Sequence, residues 1–165
     1  MRNVFFIIII YGLVSCTHSE MRSRMLLTKI DSLQKQLDQS YKPGFGEFMS
    51  SIQIHHSKLW FAGKNQNWKL ADFELKEIKE SLDGIREYCN DRPESKSIGM
   101  INQPIDSIGN AIRQKDTVLF KKNFILLTNT CNKCHNVTNH AFNIIKIPDN
   151  PPFSNQVFKI ETVKQ

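Results

Sequence analysis

The sequence has no apolar run long enough to cross a membrane as a helix. Its longest such run, Val4 to Leu13, is ten residues long and nearly unbroken, whereas a membrane-spanning helix needs about 20. The run follows the basic Arg2 and ends at a small residue, Ser15. This order is typical of a secretory signal peptide. We therefore predict that residues 1–15 are a signal peptide and that the protein is exported.

The apolar run closes with the residues Leu-Val-Ser-Cys, at 13–16. This pattern looks like a bacterial lipobox, in which the cysteine becomes the first residue of the mature chain and carries the lipid. We therefore expect lipidation at Cys16 and a membrane anchor on the periplasmic side, at either the inner or the outer membrane. An ordinary secretory signal and a short uncleaved anchor are the alternatives.

The sequence also lacks a basic stripe with interleaved aromatic residues. The formal net charge is +6, which falls to +5 when Arg2 is removed with the signal peptide. Lysine and arginine are mixed with acidic residues along the chain. This distribution argues against a nucleic-acid partner, as does export, so we predict none.

Apolar and polar residues rarely alternate with a period of two, so the sequence predicts no sheet. Apolar residues recur instead every three or four positions in four segments, at about 47–62, 68–88, 97–114 and 117–135. Short loops join these segments, with Asn67 and Asp116 as candidate helix caps. Pro104 either kinks the third helix or marks its real start. The predicted fold is all-α, with an antiparallel four-helix bundle over residues 44–140.

Two further segments flank this bundle. Residues 16–43 are predicted to form a polar stalk or linker helix, in which Leu26, Ile30, Leu33 and Leu37 have heptad-like spacing. A short coiled coil is the other interpretation of that segment. Residues 141–165 are rich in proline and predict an extended tail that packs on the bundle, with Phe153 and Phe158 as anchors.

Cysteine is scarce, and only one pair of cysteines is closely spaced. If Cys16 carries lipid, Cys131 and Cys134 remain as a pair in the stretch CNKCH at 131–135, and Cys89 is left over. Cys89 falls on an apolar helical face, so we predict a buried free thiol. These assignments leave no pair for a structural disulfide.

The stretch CNKCH has the spacing C-x-x-C-H, which is the attachment signature of c-type haem. Cysteines three residues apart on a helix present both thiols on one side, where they can add to the two vinyl groups of one porphyrin. The histidine that follows can then offer its imidazole to the haem iron. A structural zinc site needs four ligands, and no second CxxC is present. The CxxC of a thioredoxin-like redox dithiol usually lies at the start of a helix that follows a strand. This CxxC lies at the end of a predicted helix. We therefore predict one covalent haem c on Cys131, Cys134 and His135.

Methionine is absent after His135, so a second axial ligand from methionine must come from upstream. In an up-down-up-down bundle, the end of the fourth helix lies beside the start of the first. Met49 is therefore the candidate iron ligand opposite His135. An empty or water-bound sixth position is the main alternative. His55, His56 and His140 are expected to be poor axial ligands.

A four-helix bundle with CxxCH at the end of its last helix resembles the cytochrome c-prime family, which includes low-spin relatives with a methionine ligand early in the first helix. The resemblance covers residues 44–140 and carries over at Cys131, Cys134, His135 and Met49. The stretches IHHSKLWFAGKNQNWKLADFELKEIKESL and PPFSNQVF also look like bacterial monohaem cytochromes. The chain departs from the family in its lipobox, its stalk and its long extension after the motif.

These features predict an exported one-electron carrier whose partners are periplasmic or membrane redox proteins. The alternative is a five-coordinate haem protein that binds or senses a small gas such as NO or CO. No distal arginine–histidine pair is evident, so we predict no enzymatic activity and no catalytic residue. The resemblance also implies a homodimer as one possible assembly.

Overall fold

The protein is all-α in the part of the chain that the structure describes. The computed structural model describes the backbone of residues 2–160 and the side chains of residues 19–160. Within this range it contains no strand, which confirms the predicted fold class. The elements are α1 (Arg2–Asp38), α2 (Phe45–Lys64), α3 (Trp68–Tyr88), a 3₁₀ helix (Pro93–Ile101), α4 (Asn102–Gln114) and α5 (Thr117–Val137).

The chain divides into two compact units, Met1–Lys42 and Pro43–Gln165. In the first unit, α1 contains the predicted polar helix, and the apolar side chains with heptad-like spacing are each more than half exposed. The side chain of Cys16 lies outside the described residues, so its lipidation stays a prediction. None of the helices found between residues 2 and 160 combines the length and the apolar character needed to cross a membrane.

Local sequence sets the ends of the helices in the second unit. Asn67 caps α3, because its side-chain oxygen accepts a hydrogen bond from the Leu70 N–H at 3.2 Å. Asp116 caps α5 in the same way, with two backbone N–H donors at 2.9 Å. Both predicted caps are confirmed. The structure also settles the third helix: α4 begins at Asn102, so Pro104 lies in its first turn, where a missing N–H is tolerated.

The helices of the second unit pack in antiparallel contacts around one core. Helix α2 contacts α3, α3 contacts α4, α4 contacts α5, and α5 also contacts α2. The largest fully buried apolar side chains are Leu59, Ile78, Ile85, Ile108, Phe120, Phe124 and Leu127. Cys89 is free and buried, as predicted.

One of the two predicted anchors in the C-terminal segment is buried. Phe158 is 5% exposed and packs against Phe61, with 5.6 Å between the ring centroids. Phe153 is 44% exposed, so it is not a core anchor. Its ring instead lies beneath the Lys58 ammonium, at 5.6 Å. This contact leaves the outer face of the ring in water.

Aromatic rings fill the end of the second unit where α2 ends and α5 begins. Phe120 is fully buried and contacts the rings of Trp60, Trp68 and Phe124, with centroids 6.0 to 6.4 Å apart. Gly63 faces the same ring. A Cβ at Gly63 would lie 2.1 Å from the Phe120 Cζ atom. The neighbouring rings hold Phe120 in place, so its ring cannot move away from an added Cβ. The close approach of this ring to α2 therefore requires glycine at position 63.

We therefore expect Gly63→Ala to destabilise the protein by about 1–3 kcal/mol, the usual cost of overpacking a well-filled core. The measurement is urea unfolding followed by circular dichroism. Gly46→Ala is the matched control, since Gly46 is also in α2 but has no atom within 4 Å of an added Cβ. The control should be neutral or slightly stabilising. Equal stability of the two variants would contradict the packing argument.

Candidate functional site

A cavity of about 610 Å³ opens at the other end of the second unit, where α2 begins and α5 ends. Its volume is within the range of about 300–1,000 Å³ that is common for ligand pockets. Cys131, Cys134, His135 and Met49 all line it, so the structure brings together every predicted haem-site residue. The other polar side chains of the wall include those of Ser50, Gln53, His56, Arg92, Glu94, Thr138, His140 and Asn143.

The register between α2 and α5 brings Met49 level with His135. The His56 Nε2 atom is 2.9 Å from the Thr128 hydroxyl, and one helical turn further on the rings of Trp60 and Phe124 are 4.9 Å apart. Met49 lies about two turns before His56, and His135 lies about two turns after Thr128. Because the two helices run antiparallel, these equal steps end at the same level of the cavity.

The two thiols of the CNKCH stretch lie on the cavity side of α5. Cys131 and Cys134 are three positions apart, and residues at this spacing share one face of a helix. Burial raises the pKa of the Cys131 thiol to about 12, with a smaller contribution from the neighbouring Cys134. Burial also raises the pKa of Cys134. Both thiols are therefore protonated at neutral pH in the haem-free protein.

His135 has one ring nitrogen committed and the other available. Its Nδ1 atom is 2.6 Å from the backbone carbonyl oxygen of Asn143. A carbonyl oxygen only accepts hydrogen bonds, so Nδ1 carries the proton and donates it. In the neutral ring, Nε2 then keeps the lone pair that a metal ligand needs. Metal-ligating histidines usually show this arrangement, in which a carbonyl or carboxylate fixes the tautomer.

His56 lies deeper in the cavity wall and is 4% exposed. The Thr128 hydroxyl donates its proton to the Phe124 carbonyl oxygen at 2.9 Å, so it accepts a hydrogen bond from His56 Nε2. Burial lowers the pKa of His56 to about 4, and the ring is therefore neutral at pH 7. Its Nδ1 atom keeps a lone pair on the cavity wall.

The two adjacent histidines of α2 have different environments. The apolar spacing through Phe48, Ile52 and Leu59 predicts that His55 lies on the inner face of α2. The structure instead buries His56 more deeply and turns His55 towards α3. The His55 Nδ1 atom is 2.6 Å from a carboxylate oxygen of Glu74, which is fully buried. His55 therefore forms a hydrogen bond with Glu74 outside the cavity. The spacing of seven residues from Met49 to His56 marks the face of α2 that lines the cavity.

Charged groups gather on one part of the cavity wall. The Arg92 guanidinium donates to both carboxylate oxygens of Glu94, each at 3.4 Å. These hydrogen bonds with Glu94 raise the pKa of Arg92, which stays charged. His140 is also in the wall, and its Nδ1 atom donates to the Thr138 carbonyl oxygen at 2.7 Å. A ligand with carboxylate groups would meet Arg92 there.

Comparison with known proteins adds no family to this geometry. The chain matches no protein-family model, no curated protein and no solved structure. Among residues 19–160, no group of three or more His, Cys, Asp or Glu side chains is arranged to hold a metal ion. The functional argument therefore depends on the cavity and on the residues that line it.

The lowered pKa of His56 predicts that the folded protein loses stability in acid. An unfolded chain protonates this histidine near its ordinary pKa of 6.5, whereas the folded protein does so only near pH 4. The contribution is therefore present above pH 6.5 and is lost as the pH falls towards 4, at a cost of about 3 kcal/mol. Urea unfolding across this range should show a shallower pH dependence in His56→Leu than in the wild type. The same dependence of the unfolding free energy on pH in both proteins would contradict a lowered pKa at His56.

The environments of the cysteines predict their order of reaction in the folded, haem-free protein. Each unit of pKa increase lowers the reactive thiolate fraction about tenfold. We expect iodoacetamide to modify Cys134 faster than Cys131, since Cys131 is the more deeply buried thiol, with the buried Cys89 also slow. Peptide mapping by mass spectrometry measures each rate. In denaturant the three rates should become similar, and equal rates for Cys131 and Cys134 in the folded state would contradict the prediction.

Proposed function

We propose that the protein is an exported monohaem c-type cytochrome that carries one electron. Haem c would be bound covalently through Cys131 and Cys134, with His135 and Met49 as the two axial ligands of its iron. The observation that carries this proposal is the single cavity lined by all four residues, with Met49 level with His135. When bound, the haem supplies the one-electron redox centre.

The residues of the cavity fit this group. The two thiols are on one side of α5, and the bond from His135 Nδ1 to Asn143 leaves Nε2 as the lone-pair nitrogen. The Arg92 guanidinium in the wall, which also bonds to Glu94, is the cation that would bind the propionate carboxylates of a haem. Axial methionine favours a high reduction potential. Each of α2, α3 and α4 contacts the next helix, and α5 contacts α2. This closed order supports an antiparallel four-helix bundle, as the resemblance to the cytochrome c-prime family implies.

The location and partners follow from the N-terminal sequence. We propose that residues 1–15 are removed, that a lipid on Cys16 tethers the protein to a membrane on the periplasmic side, and that residues 16–43 link the lipid to the haem domain. Tethering would keep the carrier near periplasmic or membrane redox proteins. The resemblance keeps a homodimer open, and nothing in the charge distribution favours a nucleic acid.

A second function is favoured by the chemistry of the inner cavity wall. Ile52, Ile78, Leu82 and Leu127 make this wall largely apolar, and His56 adds one uncommitted nitrogen. Such a wall would suit a five-coordinate haem that binds a small gas such as NO or CO. In that case Met49 would be a packing residue and no ligand.

The visible spectrum of the full-length protein, produced with a c-type haem maturation system, tests both functions. For an electron carrier we expect covalent haem and a low-spin reduced spectrum that carbon monoxide does not change. Met49→Ala should then open the iron to carbon monoxide. Met100→Ala is the matched control, since Met100 is half-buried in the 3₁₀ helix and is not part of the cavity wall.

Each other outcome identifies a different site. A wild-type spectrum that shifts with carbon monoxide would favour the gas-binding function. If only His56→Leu or His140→Gln opens the iron to carbon monoxide, that histidine is the ligand in place of Met49. If no haem remains after denaturation, the protein is not a c-type cytochrome.

A further inference from the structure

The first residue between the two cysteines binds a distant part of the backbone through its side chain. The Asn132 Nδ2 group donates to the Ile145 carbonyl oxygen at 2.8 Å, and the Ile145 N–H donates to Asn132 Oδ1 at 2.8 Å. One side-chain amide thus satisfies both backbone groups of one residue, as a neighbouring strand would. The pair is partly buried, so losing it would leave polar groups short of partners.

Ile145 belongs to a segment that returns along α5 and that we call the return segment, residues 139–147. The chain reverses at Asn139, whose φ of 63° is in the left-handed region that asparagine tolerates. The His140 N–H then bonds to the His135 carbonyl oxygen at 2.7 Å. The return segment runs antiparallel to α5, and His140, Asn143 and Ile145 form part of the cavity wall.

The same segment holds the imidazole of His135. Asn132 and His135 are three positions apart and therefore lie on one face of α5. Their partners, Ile145 and Asn143, are two positions apart on the return segment. The two contacts thus share one register, and a shift at Ile145 would move the Asn143 carbonyl away from His135 Nδ1.

Side-chain packing contributes little to holding this carbonyl in place. Phe142 and Ile144, which flank Asn143, are 83% and 77% exposed. Ile145 is half-buried, and Ile147 packs against the core further along. The turn before Asn143 holds it from one side, because the Asn143 N–H donates to the His140 carbonyl oxygen at 2.9 Å. The hydrogen bonds of the Asn132 amide hold the segment from the other side, at Ile145.

We propose that Asn132 is a positioning residue for His135. By clamping Ile145, it keeps the Asn143 carbonyl where it accepts the Nδ1 proton, which leaves Nε2 unprotonated and fixes the ring plane. That Nε2 then binds iron rests on the proposed function, but the tautomer itself is a property of the haem-free protein. A partner of this kind also raises the basicity of a metal-bound imidazole.

Nuclear magnetic resonance of the haem-free protein tests the inference directly. Full-length protein with ¹⁵N-labelled histidine rings, in detergent, reports the tautomer of each histidine at a pH where the rings are neutral. We expect His135 as the Nδ1–H form in the wild type. Asn132→Ala should lose this form in favour of Nε2–H. Asn132→Asp keeps the oxygen that accepts from the Ile145 N–H but loses the amide donor. It should therefore give a population of the His135 Nδ1–H form between those of the wild type and Asn132→Ala.

Two controls separate positioning from folding. Asn129→Ala changes an exposed asparagine on the same helix, about one turn earlier, and should leave His135 unchanged. His56 reports on the fold, because its Nε2 atom bonds to the Thr128 hydroxyl. Every folded variant should therefore show His56 in the Nε2–H form. The inference is overturned if wild-type His135 is not Nδ1–H or if Asn132→Ala leaves it so. Loss of both the His56 and His135 signatures would also overturn it, since Asn132 would then maintain the fold.

The haem-loaded protein gives a second readout. With a weaker hydrogen bond at Nδ1, His135 donates less electron density, so Asn132→Ala should shift the reduction potential upwards while Asn129→Ala does not. An unchanged potential in Asn132→Ala would contradict the positioning role. If no haem attaches to the wild type but the tautomer results hold, the proposed function fails and the positioning of His135 by Asn132 stands.

Discussion

The bond between His56 and Thr128 fixes the register of α2 against α5, and the site depends on that register. A buried neutral hydrogen bond contributes only about 1 kcal/mol, but leaving its groups unpaired costs about 1–3 kcal/mol. Sliding one helix by a turn would break this bond and the ring contact of Trp60 with Phe124 together. The match in level between Met49 and His135 is thus enforced from two turns away, by this hydrogen bond and this ring contact.

The second unit is asymmetric along the α2–α5 pair. At one end Gly63 lets the Phe120 ring approach the backbone of α2, and aromatic rings complete the packing. At the other end the same two helices line a cavity of about 610 Å³, together with the 3₁₀ helix and the return segment. The ring cluster around Phe120 and the cavity therefore lie at opposite ends of this helix pair, so most core substitutions near Phe120 do not touch a cavity residue.

Much of the fold could be predicted from the sequence because short-range rules decide it. Asn67 and Asp116 mark helix starts, and the apolar spacing in α3 and α4 identifies the buried faces. The CNKCH spacing also pointed to the residues that the structure gathers at one cavity. The order of His55 and His56 could not be predicted, because adjacent residues on a helix differ by about 100° and a pattern of apolar residues does not resolve which one turns inwards. The bonds of Asn132 to Ile145 join parts of the chain that no periodic pattern relates.

The long extension after the CNKCH stretch is one of the departures from the resemblance, and residues of it line the cavity. Its first residues turn back along α5 and give the Asn143 carbonyl to His135. Ile145 then adds to the cavity wall, and Phe158 ends the segment in the core against Phe61. A helix bundle alone leaves a histidine at its last turn exposed to water on one side, where its ring can rotate. The extension therefore supplies part of the cavity wall and the backbone acceptor for His135 Nδ1.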